Sequence, residues 1–299
     1  MLGPRAPAPS LFVLIPGWGA PHLREKRAIL GVNLKRIASH HWSSVHIRVC
    51  VYDASPEARL DPGDIHAAFI AAAEAAAAVP RPKVIVEVLY DAGAPGDFIR
   101  RFAAPDDPAV CDADYALLLL DDVELQPDTD FAEMLRYQRD FGPAIVSPTL
   151  TYDSLHVFPH MLQGAAAADA GSGLGVGVGA YAPRGPSASV TPVCEFFAYF
   201  MDTAVTLPRY HAFMDPENPW MWGADLLLHC RMGIKAILAG GVTMRHHFKG
   251  SGATPETFAA RRAYLAKHGE TEESVAQQAP FLYHIVYPAP AAEVRQKSL

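Results

Sequence analysis

Short apolar runs alternate with segments of helical periodicity along the first half of the chain, and this alternation restricts the fold more than any other feature. The apolar runs, which predict strands, cover residues 11–18, 45–53, 84–91, 115–122 and 144–148. The periodic segments, which predict helices, cover residues 22–39, 65–79 and 131–139. Strands that alternate with helices favour a mostly parallel sheet covered on both faces. We therefore predict an α/β fold, a three-layer α/β/α sandwich.

The second half of the chain is less regular. Residues 164–186 are rich in Ala and Gly and have neither a strand nor a helix period, so we expect a mobile loop there. Regular structure is predicted again for residues 193–205, with a helix over 224–232, a strand over 234–239 and a helix over 255–268. We expect a flexible start over 1–9, one domain over 10–270 with halves at 10–148 and 149–270, and a tail over 271–299.

Composition excludes several classes of function. The net charge is -7, the isoelectric point is about 6.0, and Lys and Arg are scattered, so we expect no nucleic-acid partner. The four cysteines lie far apart without a CxxC spacing, which argues against a zinc ribbon or a disulfide framework. No apolar run is long enough for a membrane span, and we expect a cytoplasmic protein. A lumenal enzyme without its anchor would show the same features, and oligomeric state is not indicated.

Acidic residues directly follow a strand of four leucines. Asp121 and Asp122 come at its end, with Glu124 two residues later. Open α/β sheets bind ligands at the carboxyl ends of their strands. Carboxylate oxygens there suit Mg²⁺ or Mn²⁺, which also bind the phosphates of a nucleotide. The alternative is a surface turn that happens to be acidic.

The segment from Tyr115 to Glu124 resembles the DxD region of GT-A glycosyltransferases. Residues 115–247 are more specifically similar to the DUF707 branch of that clan, whose strand ends in Asp-Glu-Asp. Leu120 stands where that pattern has its first acid. The resemblance implies that Asp122, at the last acid of the motif, is a direct metal ligand.

Two further blocks agree with this resemblance in order and spacing. VCEFFAYFMDTAV aligns Glu195 with an acid of the family, and NPWMWGADLLLHCRMGIKAIL is similar to a Gly-Trp-Gly-x-Asp helix. VTMRHH is similar to a strand that ends in histidine. The resemblance implies that Asp225, on the first turn of a helix, is the catalytic base. It also implies that Glu195, Trp220 and Trp222 contact the acceptor.

The two histidines of VTMRHH are candidate metal ligands beside Asp122. Successive side chains on a strand point in opposite directions, so only one of them can face the site. We favour His246 and keep His247 as the alternative. Structural roles remain open for these histidines, for Asp225 as a helix N-terminal acid, and for the two tryptophans as core residues.

Residues near the front of the chain are candidates for donor binding. Pro16, Gly17 and Trp18 are predicted to form a turn after the first strand, and Asp53 closes the second strand. Asp121 and Lys249 complete the predicted donor site, the lysine as a charge beside the diphosphate. Turn formers and acids are common at strand ends, which is the alternative explanation.

Together these features predict a metal-dependent glycosyltransferase. We expect transfer of a hexose or pentose from a UDP- or GDP-sugar to a glycan or other hydroxyl acceptor, with Mn²⁺ or Mg²⁺ as cofactor and inversion at the sugar. The alternatives are a metal-dependent phosphoesterase, which would use Asp121, Asp122 and His246, and a sugar- or nucleotide-binding module without catalysis.

Overall fold

A computed structural model describes residues 7–76, 81–151, 153–154, 161–162, 187–248, 254–278 and 283–286. The strands are β1 Ser10–Trp18, β2 Ser44–Val51, β3 Lys83–Tyr90, β4 Tyr115–Leu119, β5 Val123–Leu125, β6 Ala144–Leu150, β7 Ser187–Thr191, β8 Ala198–Asp202, β9 Lys235–His246 and β10 Tyr283–Val286. The helices are α1 Leu23–Ala38, α2 Pro62–Ala75, α3 Pro95–Phe102, α4 Pro108–Cys111, α5 Phe131–Phe141, α6 Thr206–His211, α7 Pro255–Lys267 and α8 Glu272–Gln278.

The strands form one ten-stranded sheet in the order β10-β7-β9-β6-β8-β4-β1-β2-β3, and β5 pairs with β9. The four neighbouring strands β4, β1, β2 and β3 are parallel to one another, and β6 is parallel to β9. Only β8, β7 and β5 run against the rest within the described sheet. The predicted α/β architecture with a mostly parallel central sheet is confirmed.

The direction of the connections places helices on both faces of the sheet. The crossovers through α1 and α2 step outward from β1 to β2 and then β3, and these two helices contact each other. The chain then returns through α3 and α4 to β4 on the other side of β1, and α3 contacts β1. Because such crossovers are right-handed, α3 lies on the opposite face from α1 and α2.

The reversal of strand order at β1 creates a crevice. With β2 on one side of β1 and β4 on the other, the connections after β1 and β4 leave in opposite directions. Ligands of open α/β sheets bind at this point, outside the carboxyl ends of the strands. A ligand-binding site is therefore expected among the residues that follow β1 and β4.

The two central strands are apolar on both faces. Leu11 to Ile15 of β1 and Ala116 to Leu119 of β4 are all buried. Parallel strands covered by helices on both sides require such continuous apolar runs, which explains why both were recognisable in the sequence.

The predicted turn at Pro16, Gly17 and Trp18 is wrong, because β1 continues through all three residues. The pairing with β2 shifts register between Pro16 and Trp18, and Gly17 has a φ of 120°. A bulge at this point admits a proline, which lacks the N–H that a regular ladder needs.

Other predicted boundaries also change. Residues 224–232 form only a 3₁₀ turn, Ala224–Leu226, followed by further turns, and β9 extends the predicted strand to His246. The expected tail beyond residue 270 contributes α8, and β10 pairs with β7 in the main sheet. The predicted mobile loop at 164–186 and residues 1–6 of the expected flexible start lie outside the described residues.

None of the helices within the described ranges combines the length and the apolar character that a membrane span requires.

Candidate functional site

The turn between β4 and β5 carries two adjacent carboxylates at the carboxyl edge of the sheet. Asp121 and Asp122 occupy this turn, directly after Leu120. The Asp121 carboxylate pairs with Lys26 of α1, with 2.7 Å between Oδ2 and Nζ. Lys26 Nζ also donates to the carbonyl oxygen of Gly19, which follows β1, at 2.7 Å.

This buried ion pair connects α1 to the ends of both central strands. Burial raises the pKa of Asp121 to about 7, and the Lys26 ammonium opposes that rise. Only 10% of the Asp121 side chain is exposed, so little of its carboxylate is presented to a ligand. We predicted that Asp121 binds the donor, but in this structure its carboxylate pairs with Lys26.

Asp122 and His246 meet across the pairing of β5 with β9. Val123 is opposite His246 in that antiparallel pair, and the His247 N–H donates to the Asp122 carbonyl at 3.1 Å. His246 Nε2 lies 3.1 Å from Asp122 Oδ2. The ring of Phe197 packs on the imidazole, with 4.5 Å between ring centroids. Two residues far apart in sequence are thus held side by side.

His247 faces another carboxylate. Its Nε2 lies 2.8 Å from Glu124 Oε2. The two consecutive histidines thus contact different acids, one in the turn before β5 and one within β5. Of our two candidate ligands, His246 is the one that lies beside Asp122.

The Asp122 and His246 pair fits two neighbouring positions around a divalent cation. Two ligands at about 2.1 Å from one ion and at right angles are about 3.0 Å apart, close to the observed 3.1 Å. A carboxylate oxygen with an imidazole nitrogen suits Mn²⁺ better than Mg²⁺, which prefers oxygen alone. Among the described residues, no group of three or more His, Cys, Asp or Glu side chains is placed to hold a metal ion.

A pocket of about 650 Å³ opens beside these acids at the ends of β2 and β3. Both strands end in the same dipeptide, Tyr52-Asp53 and Tyr90-Asp91. The strands are in register up to Val51 and Tyr90. The pocket is lined by Val51, Tyr52, Asp53, Ala54, Arg59, Tyr90, Asp91 and Ala92.

Tyr52 connects the pocket to the carboxylates of the β4–β5 turn. Partial burial, together with the charges of Asp121, Asp53 and Asp122, raises its pKa to about 12. Its ring lies over Gly19, where an added Cβ would come within 2.4 Å of the ring. Its hydroxyl donates to the carbonyl oxygen of Ala20. Only a glycine at position 19 leaves room for this arrangement.

The acids of the two dipeptides already have protein partners. Asp53 accepts backbone N–H bonds from Ala20 at 3.0 Å and Ser55 at 2.9 Å, and these bonds lower its pKa. Asp91 pairs with Arg101 of α3. Asp53 lines the pocket and fixes the loop after β1 against the end of β2, and its contact with a donor stays a prediction.

Asp225 occupies the 3₁₀ turn Ala224–Leu226, after a glycine in the left-handed region. Gly223 has a φ of 89°, and a Cβ there would come within 2.9 Å of Arg261. The Asp225 side chain is partly exposed but has protein around it. This desolvation raises its pKa to about 6, against the opposing charge of Arg261. A carboxylate with this pKa is ionised at neutral pH and more basic than an ordinary one.

The surroundings of Asp225 include Glu195, the predicted acceptor acid. Burial raises the pKa values of Cys194 and Tyr199, and the charges of Asp225 and Glu195 both add to these rises. Because β8 is antiparallel to β4, its first residue lies opposite the last residue of β4, Leu119. Glu195, three residues before β8, is thereby at the same edge of the sheet as Asp122.

The two predicted acceptor tryptophans differ in exposure. Trp220 is 55% exposed, and Trp222 is half-buried. Asn218 holds this loop by bonding both the N–H and the C=O of Trp222, at 3.1 and 3.0 Å. The Pro219 carbonyl accepts from Gly96 at the start of α3, at 2.8 Å. This bond brings the loop to the carboxyl edge of the sheet.

The remaining predicted donor residues are elsewhere. Pro16 and Trp18 are buried, and Trp18 donates from Nε1 to the Ala58 carbonyl at 3.1 Å. The predicted direct contact of Trp18 with a donor is therefore wrong: it supports the loop that leads to the pocket residue Arg59. Gly17 is partly exposed in the same bulge. Lys249 lies outside the described residues.

Several residues at this edge were missing from the sequence prediction. They are Lys26, Tyr52, Arg59, Tyr90 and Asp91. The repeated Tyr-Asp ending of two successive predicted strands was a visible pattern for three of them. Lys26 had no such pattern, because its role depends on how α1 packs against the end of β4.

Comparisons with known proteins give limited help. No family model matches the chain, and no curated protein matches it. The chain is similar to a solved structure of S. aureus TarS 1–349, with a TM-score of 0.43 and 11% identity, over 90% of this chain and 67% of that one. A likeness at this score and identity carries no conclusion about the activity of this chain. The more specific resemblance to DUF707 stays a prediction.

Proposed function

We propose that this chain is a glycosyltransferase that uses a nucleotide-sugar donor and a divalent cation. The observation that carries the proposal is the contact of Asp122 with His246 at the carboxyl edge of the sheet, next to the Tyr52–Asp53 pocket. This edge, beside the reversal of strand order, is where an open α/β sheet binds a nucleotide.

The pocket supports a nucleoside. Tyr52 and Tyr90 are large and exposed, which suits stacking on a base, and Arg59 adds a cation. Carboxylates at the strand ends suit ribose hydroxyls. Tyr52 lines this pocket and is influenced by the charges of Asp121 and Asp122, so a nucleoside bound there would have its diphosphate near the β4–β5 turn.

Asp122 and His246 would hold Mn²⁺ at that turn. The cation would neutralise the charge of the diphosphate leaving group. The protein's own task is to keep the two side chains at ligand spacing, which it does through the β5–β9 pairing and the packing of Phe197.

Asp225 is our proposed base. Its raised pKa of about 6 leaves it ionised at neutral pH and able to accept the proton of an acceptor hydroxyl. Glu195 and Trp220 lie at the same edge and would position the acceptor. Attack from the side opposite the leaving diphosphate would invert the sugar.

The first experiment is thermal unfolding of the protein with UDP- and GDP-sugars, with and without Mn²⁺. A ligand at a hundred times its Kd stabilises the native state by about 2.7 kcal/mol. We expect a donor whose stabilisation requires Mn²⁺, and we expect Asp122→Asn to lose that requirement and most of the stabilisation. Glu124→Gln is the matched control, because it changes the neighbouring acid and leaves Asp122 and His246 in place.

Equal Mn²⁺-dependent stabilisation of wild type and Asp122→Asn would refute the metal assignment. A second measurement decides between an enzyme and a binding module: chromatography detects whether nucleotide is released when the protein is incubated with a donor and an acceptor. Stabilisation by a nucleotide sugar without release of nucleotide for any acceptor would favour the module.

A further inference from the structure

Strand β3 lies at one edge of the sheet as far as the structure describes it. Its only strand partner among the described residues is β2. The N–H of Lys83 donates to Ser43 and the N–H of Asp91 donates to Val51, both at 3.1 Å. Since backbone groups alternate sides along a strand, odd-numbered residues bond to β2. The N–H and C=O groups of Val84, Val86 and Val88 therefore point away from the sheet.

This edge has neither a bulge nor a proline to block pairing with another strand, and its charges are limited to Lys83 and Glu87. Proteins shield long edges with bulges, prolines or dense charge. The eight residues of β3 pair with β2 without a register shift and include no proline. Ile85, in the middle of the strand, is 39% exposed.

We propose that β3 pairs antiparallel with β3 of a second copy of this chain, about a two-fold axis at Ile85. In this register the outward groups of Val84 bond to those of Val86 in the second copy. Lys83 then lies opposite Glu87 of the second copy on each side of the axis, and the two Ile85 side chains meet.

Charge favours this register over those with the axis shifted toward the C-terminal end of β3. An axis at Val86 would place Ile85 opposite Glu87, and an axis at Glu87 would place two carboxylates face to face, which is destabilising. Glu87 already contacts His46 and Arg48, at 2.8 and 2.7 Å. Its side chain remains 37% exposed, so it is also accessible to Lys83 of the second copy. A strand pair of this size is a small interface, and we expect a Kd in the micromolar range.

Cysteine cross-linking tests both the contact and its register. In a Cys111→Ser background, which removes the exposed native thiol, Ile85→Cys places two thiols on the axis. Facing residues there have Cα atoms about 4.5 Å apart, within the range of a disulfide. Lys83→Cys is the matched control on the same face of the strand, and its two copies would be about 13 Å apart.

Under mild oxidation we expect Ile85→Cys to form a disulfide dimer at least tenfold faster than Lys83→Cys. Equal rates would show random collision and overturn the proposal, as would absence of the Ile85→Cys dimer.

Light scattering at high micromolar concentration tests the native chain. We expect twice the 32.3 kDa mass of one chain for the wild type. Lys83→Glu should raise the Kd for dimerisation about tenfold, because it places a carboxylate opposite Glu87 of the second copy at each end of the strand pair. Val86→Pro should give a folded monomer by circular dichroism, because the lost N–H points away from β2. A monomeric wild type, or a dimer unaffected by Lys83→Glu, would overturn the proposal.

Discussion

Replacement of Asp225 by asparagine should stabilise the protein while it removes activity. Folding raises the pKa of this carboxyl from 3.8 to about 6. Each unit corresponds to about 1.4 kcal/mol, so the ionised carboxylate costs the native state at most about 3 kcal/mol at neutral pH. Partial exposure of the side chain reduces this cost, and we expect Asp225→Asn to raise the free energy of unfolding by about 1 to 3 kcal/mol at pH 7.5.

The sign of the pH dependence makes this prediction specific. A carboxyl whose pKa is higher in the folded state favours folding at low pH, and this contribution is lost as the pH rises from 3.8 to about 6. The stability difference between Asp225→Asn and wild type should therefore shrink below about 1 kcal/mol at pH 4. The other groups titrate in both proteins and cancel in the difference.

Urea unfolding of both proteins at pH 4 and pH 7.5 measures this difference, and a transfer assay measures activity. We expect Asp225→Asn to lower the transfer rate by about 10² to 10⁴, the usual share of a general base, and to leave donor binding unchanged. The wild-type rate should rise with pH through about 6. A stability gain of the same size at both pH values would refute the electrostatic argument, and full activity of Asp225→Asn would refute the role as base.

Two other substitutions test the supports of the site. Lys26→Met leaves Asp121 buried without its cation, and we expect a loss of about 3 kcal/mol in the free energy of unfolding. The double variant Lys26→Met/Asp121→Asn should recover most of that loss. If it does not, the ion-pair argument is contradicted. Trp220→Ala removes an exposed ring, so the free energy of unfolding and donor binding should stay unchanged. The KM for the acceptor should rise about tenfold, because the acceptor loses apolar contact with the ring. An unchanged KM would exclude Trp220 from the acceptor site.

The first half of the fold was predictable because its strands are buried on both faces. Such strands need continuous apolar sequence, and the helices between them need a periodic apolar face. The second half was less predictable for a physical reason. Strand β7 has the sequence SASVT, which alternates polar and apolar residues over only five positions and with mostly small side chains, so its strand signal is weak and its pairing with β9 and β10 defines it.

The site was predictable to the extent that it follows from the sheet. The acids at the end of β4 had to lie at its carboxyl edge, and the resemblance to GT-A enzymes placed a histidine beside them, which the Asp122–His246 contact matches. The prediction was wrong for Pro16 and Trp18. Proline and glycine usually end a strand, but a bulge lets β1 continue, and the pairing that creates a bulge is not visible in one strand alone.

The repeated ending of β2 and β3 shows how a parallel sheet makes a pocket recognisable in the amino-acid sequence. The two Tyr-Asp dipeptides are offset by one position, since Val51 rather than Tyr52 pairs with Tyr90 in the parallel ladder. Neither dipeptide means much alone, since strand ends often carry such residues. Their repetition is informative because the carboxyl ends of parallel strands meet at one edge of the sheet, where both dipeptides line the same pocket. The 650 Å³ pocket that they line is the result, and it lies next to the acids that the leucine strand positions.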